Sequence, residues 1–230
     1  MPFVVHEIRR YPVKSMAGES LTTVDVDARG LVGDRWYAVV DGEGRLSSGK
    51  NSKRFRRRDA VFDFSARTTD EGVRVAGPGG EWAAGEPALD RALADAMGDP
   101  VRVLAEGDTS HYDDGPVSLV GTASLDWCRE HLGVDADRRR IRPNLVVATS
   151  EPFVEETWSG ALTIGGARLS VDRRIERCRM VDIAQEGLPP EGRWLKELTR
   201  TREMRLGVFL DVARPGTLTV GDLVRGSGSR

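Results

Sequence analysis

Punctuation constrains this chain more than any other feature. Its 230 residues include 26 glycines and 11 prolines, and the apolar residues between them fall in short, β-branched runs. Such runs suit strands bounded by turns and leave little room for long helices. FVVHEIRRYPV (3–13) reads as a first strand broken by Pro12. SLTTVDVDA (20–28) reads as one half-buried strand, in which Leu21, Val24 and Val26 alternate imperfectly with polar residues. RWYAVVDGEGRLSS (35–48) predicts two strands joined at Asp41–Gly44, and LTIGGARLSV (162–171) a hairpin turning at Gly165–Gly166. GVRVAG (72–77) and VRVLAEG (101–107) add short strands, and LGVFLDVARPGTLTVGDLVR (206–225) closes the chain with strand, Pro–Gly turn and strand.

Helical patterning is confined to three places. Pro87–Met97 sets Leu89, Leu93 and Met97 on one face before Gly98 and Pro100. SLDWCREHL (124–132) follows Thr122 as a candidate cap and ends at Gly133, and Gly192–Arg200 carries Trp194, Leu195 and Leu198. Irregularly spaced strands with three short helices predict a mainly β protein built from barrels, not a doubly wound sheet. The polar, turn-rich stretch EGDTSHYDDGP (106–116) marks a change of character. The expected division is an N-terminal β domain over 1–100 and a C-terminal β domain over 101–226, with 227–230 as a disordered tail.

Charge narrows the partners. Lysine plus arginine number 34 against 36 acidic residues, for a formal charge of −2. That balance argues against a general nucleic-acid or membrane-surface binder, and leaves room for one local basic pocket. No apolar stretch approaches the roughly 20 residues that span a bilayer. The apolar run in MPFVVHEIRR is too short for a signal peptide, and two cysteines make no disulfide framework, so a reducing cytoplasm is the expected setting.

The chain has no CxxC, HExxH, GxGxxG after a strand, Walker A loop or GxSxG elbow, and His6, His111 and His131 stand in unrelated settings. Cys178 is the distinctive atom. It sits in RRIERCRMVDI (173–183), a strand-like run that crowds arginines around one thiol, and nearby positive charge favours the thiolate, the metal-binding form. If that run is a regular strand, Arg177 and Arg179 point away from the face carrying Cys178. Alone, a cysteine in such a run is more often buried and inert. Cys128, beside Trp127 in a helical segment, reads as core. Three further runs couple a cation or small polar group to a turn-forming backbone: YPVKS (11–15) with Lys14 and Ser15, GDRWY (33–37) with Arg35, and RIRPN (140–144) with Arg142 and Asn144 around Pro143. Such groups suit an anionic oxygen cluster, because arginine grips one bidentately. The basic run KNSKRFRRR (50–58) reads as a solvated loop, with RNA or an acidic partner protein as the alternative.

Taken in order, YPVKS, GLVGDRWYAVVD (30–41), SLVGTASLDW (118–127), RIRPNLVV (140–147), ERCRMVDI (176–183) and RPGTLTVGDLV (214–224) resemble one family across nearly the whole chain. The chain resembles the MOSC superfamily with the N-terminal β-barrel domain that often precedes it. Within it, the chain is similar to the mitochondrial amidoxime-reducing component and its bacterial relatives, and to the C-terminal domain of molybdenum cofactor sulfurase. The resemblance implies a molybdenum cofactor (molybdopterin) with Cys178 as the metal ligand and catalytic residue. It implies that Lys14, Ser15, Arg35, Arg142 and Asn144 hold the cofactor. It also places Asp113 and Ser118 along the site, although YDDGPVSLV departs from the family pattern at Gly115 and leaves Asp113 and Asp114 as alternatives. Pyridoxal phosphate binding is a further association of the family. The implied activity is an oxidoreductase that removes oxygen from small N-hydroxylated compounds. Some bacterial relatives carry a ferredoxin-like iron–sulfur domain; without its cysteine cluster here, electrons are expected from a separate ferredoxin- or flavoprotein-type donor, with no nucleic-acid or membrane partner. Two other functions stay open: a sulfur-carrier or cofactor-handling protein using a Cys178 persulfide, and a non-catalytic binding module.

Overall fold

The structure is a computed structural model that describes residues 2–226, so the tail expected to be disordered lies outside the described residues. Its centre is a closed barrel of seven strands. Around the ring, Phe3–Arg10 pairs with Leu145–Ala148, then follow Val117–Gly121, Arg205–Arg214, Ala167–Glu176, Ala161–Ile164 and Leu223–Gly226, which pairs back with Phe3–Arg10. Only the pairing of Val117–Gly121 with Leu145–Ala148 is parallel, and the chain needs a crossover to make it. The helix Thr122–Trp127, continued by a π turn over Cys128–Leu132, supplies that crossover. The two ten-residue strands, Ala167–Glu176 and Arg205–Arg214, shift register at three points, which lets them bend with the barrel wall. Alternate residues fill the interior: Val5, Ile8, Leu119, Leu145, Leu162, Leu169 and Leu210 form one aliphatic cluster. The barrel architecture read from the sequence is the one observed.

A second core lies against the first. A four-stranded sheet (Val101–Ala105, Tyr37–Asp41, Leu46–Ser48, Phe55–Arg57), a three-stranded meander (Ser65–Thr69, Gly72–Gly77, Gly80–Ala83) and the helix Pro87–Met97 enclose Val39, Phe62, Phe64, Val75, Leu89 and Leu93. The chain interleaves the two units. Phe3–Arg10 belongs to the barrel otherwise built from residues after 116, while Val101–Ala105 returns to pair with Tyr37–Asp41. The connection from Tyr11 to Met16 therefore runs from one core into the other, with Tyr11, Val13 and Met16 fully buried.

Four local expectations are corrected. The single strand over 20–28 is two: Glu19–Leu21 extends the barrel wall, and Thr23–Asp27 joins another sheet. The strand after Pro215 does not fold back on its predecessor. Gly216–Thr219 pairs with Thr23–Asp27, passing so close to the Gly165–Gly166 turn that a Cβ on Gly216 would meet Gly166 backbone at 2.3 Å. Thr122 is the first helical residue and not the cap, its hydroxyl donating to Thr149 O (3.3 Å). The third helix spans Trp194–Arg202, because the Asp182 carboxylate accepts from the amides of Trp194 and Leu195 (2.8 and 3.2 Å) and fixes its start. Among the described residues, no helix is long and apolar enough to cross a membrane.

Candidate functional site

The two units meet at a cleft of about 860 Å³, counting the space continuous with solvent. Lys14, Ser15, Arg35, Asp113, Ser118, Arg142, Asn144 and Cys178 all line it. Residues up to 164 positions apart in sequence thus share one wall, through three turns that each force an unusual backbone. Ser15, Arg35 and Arg142 have positive φ (69°, 54° and 50°), in the left-handed region that side chains avoid. Such a residue costs on the order of 1–3 kcal/mol and persists only where its surroundings over-determine it. Here those surroundings are explicit. Arg35 N donates to Tyr11 O (2.7 Å), Arg142 N to Arg138 O (2.9 Å), and Ser15 Oγ to Ser47 O (3.1 Å).

Charge in the cleft is unbalanced. Six cations line it (Lys14, Arg35, Lys50, Arg140, Arg142, Arg177) against three acids (Asp113, Asp114, Glu176). Asp113 lies between two lysines, its oxygens 3.2 Å from Lys14 Nζ and 3.0 Å from Lys50 Nζ. Both ammonium groups also sit over the Phe55 ring, at 4.9 and 4.7 Å from its centroid. Burial pulls the Lys14 amine down to about 8, with Asp113 opposing that shift and Arg35 and Lys50 adding to it. Burial raises the Asp113 carboxyl, but the neighbouring lysines win and hold it below the usual carboxylate range. Burial likewise lowers Arg142, and takes Arg177 to about 10. Among the described residues, Lys14 Nζ, Arg140 Nη1 and Arg142 Nη1 are buried with no aligned hydrogen-bond acceptor. The Lys14–Asp113 approach is a charge contact off the hydrogen-bonding direction. Arg140 turns its other nitrogens to Asp135 and Pro189, outside the cleft lining, which leaves Lys14 Nζ and Arg142 Nη1 as the donors to weigh, since buried donors are normally satisfied.

Other predicted residues spend their polar atoms on the scaffold. Asn144 Oδ1 accepts from Ser118 N (3.1 Å) and Ser118 Oγ (3.0 Å), while Asn144 Nδ2 donates to Arg9 O (3.3 Å). These bonds tie the parallel strands to the first strand beneath the cleft. Asp113, not Asp114, contacts the lysines, while the Asp114 carbonyl accepts from Arg173 (2.9 Å); both still line the cleft.

The strand expected through Cys178 ends at Glu176. Cys178 opens a 3₁₀ turn over Arg179–Asp182, its carbonyl accepting from Val181 N (3.2 Å). The alternation argument therefore fails for Arg177, which lines the same cleft as Cys178. Its guanidinium donates to carbonyls, Leu206 O (2.9 and 2.7 Å) and Ile141 O (2.8 Å). Arg179 does leave, to Asp59 (3.0 Å) and Gly49 O. Cys128 is buried in the helical cluster, and burial pushes its thiol up to about 12. Cys178, by contrast, is partly exposed.

Sequence reading missed Lys50, Arg140 and Arg177. The run 50–58 is not a plain solvated loop: Phe55 and Arg58 are buried, and Lys50 lines the cleft. A usable signal was Phe55 itself, an aromatic inside a basic run. Arg140 and Arg177 gave none: Arg140 is held by the Asp135 carboxylate and Pro189 O, and Arg177 by the Leu206 and Ile141 carbonyls.

The MOSC domain profile matches residues 106–225, and that of the MOSC N-terminal beta barrel domain matches residues 2–135. The molybdenum cofactor sulfurase of Danio rerio is 23% identical over 258 residues, covering 87% of this chain and 31% of the relative. That of Anopheles gambiae is 32% identical over 108 residues, covering 41% of this chain and 14% of the relative. The chain thus spans about a third or less of the length of these relatives. Among solved structures, the YUAD protein from Bacillus subtilis superposes with a TM-score of 0.52 at 13% identity, covering 97% of this chain and 94% of that one, a likeness of fold.

Proposed function

The chain belongs to the MOSC domain family, and from that premise we propose that its cleft binds a molybdenum cofactor, with Cys178 as the protein ligand to the metal. The observation that carries this reading is a partly exposed thiol lining the same cleft as two residues with buried cationic nitrogens that lack an aligned acceptor, Lys14 Nζ and Arg142 Nη1. A soft thiolate suits molybdenum, and a phosphorylated pterin would supply acceptors for Lys14 Nζ and Arg142 Nη1. When bound, the cofactor supplies two-electron redox and oxygen-transfer chemistry. The chain's own residues do the rest. Lys14, Lys50, Arg35 and Arg142 hold anionic groups, and Ser118 with Asn144 keeps the floor rigid. Arg177 lines the cleft with Cys178, held in place by the carbonyls of Leu206 and Ile141.

The proposed activity is reduction of small N-hydroxylated compounds, with electrons from a separate donor protein. Purified protein is expected to hold about one molybdenum per chain, and Cys178→Ser to lose most of it; equal metal by elemental analysis in the two proteins removes the ligand assignment. With a reduced artificial donor, metallated protein is expected to convert benzamidoxime to benzamidine. The likeness to molybdenum cofactor sulfurases favours a second reading, a cofactor-handling protein in which Cys178 carries a persulfide. Metallated protein that turns over no amidoxime, but carries cyanide-releasable sulfur, decides for it.

A further inference from the structure

The Tyr11 ring sits where three arginines converge. Its centroid is 4.3 Å from the Arg142 guanidinium carbon, 5.0 Å from that of Arg35 and 5.7 Å from that of Arg9. Tyr11 is completely buried at the end of the first barrel strand. Every polar atom of the residue is committed. Its amide donates to Asp34 Oδ1 (2.8 Å) and its carbonyl accepts from Arg35 N (2.7 Å). Its hydroxyl donates to Pro143 O (3.3 Å) and accepts from Arg9 Nε (3.2 Å).

Three like charges around one point repel: burial lowers the Arg142 guanidinium, and Arg35 and Arg9 add to that shift. Only Arg9 and Arg35 have carboxylate partners, Glu186 (2.8 Å) and Asp34. The Arg142 guanidinium donates to Met16 O and leaves Nη1 without an acceptor. What faces Arg142 instead is the negative face of an aromatic ring, which attracts a cation without competing for its hydrogen-bond donors. Arg35 and Arg142 also hold left-handed backbones, so each needs a fixed neighbour to persist there.

We infer that Tyr11 is a positioning residue for the anion-binding arginines: its ring holds the Arg35 and Arg142 guanidinium groups against it and leaves Arg142 Nη1 free to donate, preorganised for a phosphate-type ligand. This rests on the anionic-ligand reading of the cleft. Preorganisation raises affinity by removing ordering cost at the moment of binding.

The test uses the full chain purified from a host that makes no molybdenum cofactor, with inorganic phosphate as probe in low-salt calorimetry. Tyr11→Phe keeps the ring and is expected to bind phosphate within about threefold of wild type; Tyr11→Leu is expected to bind at least about tenfold more weakly. Leu93→Ala, in the other core, is the stability control, expected to lower the melting temperature and leave phosphate affinity unchanged. Should Tyr11→Leu fail to fold, phenylalanines of increasing ring fluorination at position 11 keep the shape and drain the ring face, and phosphate affinity is expected to fall along that series. Flat affinity along the series, or equal affinity in wild type and Tyr11→Leu, overturns the positioning role alone. No phosphate binding by wild-type protein overturns the anionic-cleft reading itself.

Discussion

In the barrel interior, Val5, Ile8, Leu119, Leu145 and Leu210 belong to one cluster of buried apolar side chains on paired strands. In the adjoining cleft, six cations face three acids and three lining residues hold left-handed backbones. Both regions are formed by the same strands and the turns that follow them. They differ in where free energy is gained: the interior gains it from burial at about 25 cal/mol per Å² of apolar surface, whereas the cleft holds repulsion and strain that the rest of the fold offsets. The difference separates what makes the chain fold from what makes the cleft receptive to an anion.

The largest expected effect breaks the interior. Leu119 is fully buried in the barrel wall between its parallel and antiparallel neighbours. Leu119→Ala is expected to cost about 2–5 kcal/mol, read as a lower denaturation midpoint in urea. A loss below about 1 kcal/mol would mean that the interior is loosely packed and that the contrast with the cleft is overstated.

Lys14 sharpens the comparison from the other side. Burial lowers its amine from 10.5 to about 8, so between those values the unfolded chain holds a proton that the folded chain has released. Stability contributed at this position therefore rises as pH climbs from about 8 to 10.5, by at most about 3 kcal/mol. Denaturation of wild type and Lys14→Met at pH 7.5, 9 and 10.5 is expected to show wild type gaining on the variant across the window. Parallel curves would show that the lysine is as well solvated as an exposed one.

How much of this was legible follows the same division. The barrel strands were readable because β-branched runs between glycines act locally: the hairpin at Gly165–Gly166 and the helix Pro87–Met97 stand where their residues place them. Strand partners were less readable, since Thr23–Asp27 pairs with Gly216–Thr219 through a contact 192 residues away. In the cleft, the turn-forming motifs around Lys14, Arg35 and Arg142 could be picked out, because proline and glycine restrict backbone within a few residues. Their convergence came from the family resemblance, not from the motifs. Arg177 stayed hidden because its direction is set by Leu206 and Ile141 carbonyls on other elements. The left-handed backbone of Arg35 and Arg142 was equally hidden, since neither residue type favours it.

The smallest expected effect concerns Asp113. Its carboxylate stands between Lys14 and Lys50, where an incoming anion would find two ammonium groups. It lies on the polar 106–116 segment, where Asp113 and Asp114 belong to no strand or helix, so other elements must hold them in place. Arg54 grips that segment by donating to Ser110 O (2.7 Å) and Tyr112 O (3.0 Å), and Arg173 by donating to Asp114 O (2.9 Å). A carboxylate held at the lysines competes electrostatically with a bound anion while lowering repulsion between them in its absence. Asp113→Asn keeps the shape and removes the charge. It is expected to bind inorganic phosphate about three- to tenfold more tightly than wild type in low-salt calorimetry, a gain of roughly 1 kcal/mol. The gain should shrink as salt is added, because screening weakens partly exposed charges. Weaker binding in Asp113→Asn would mean instead that the carboxylate orients the two lysines for the anion, and that the cleft, like the barrel interior, is already packed for its contents.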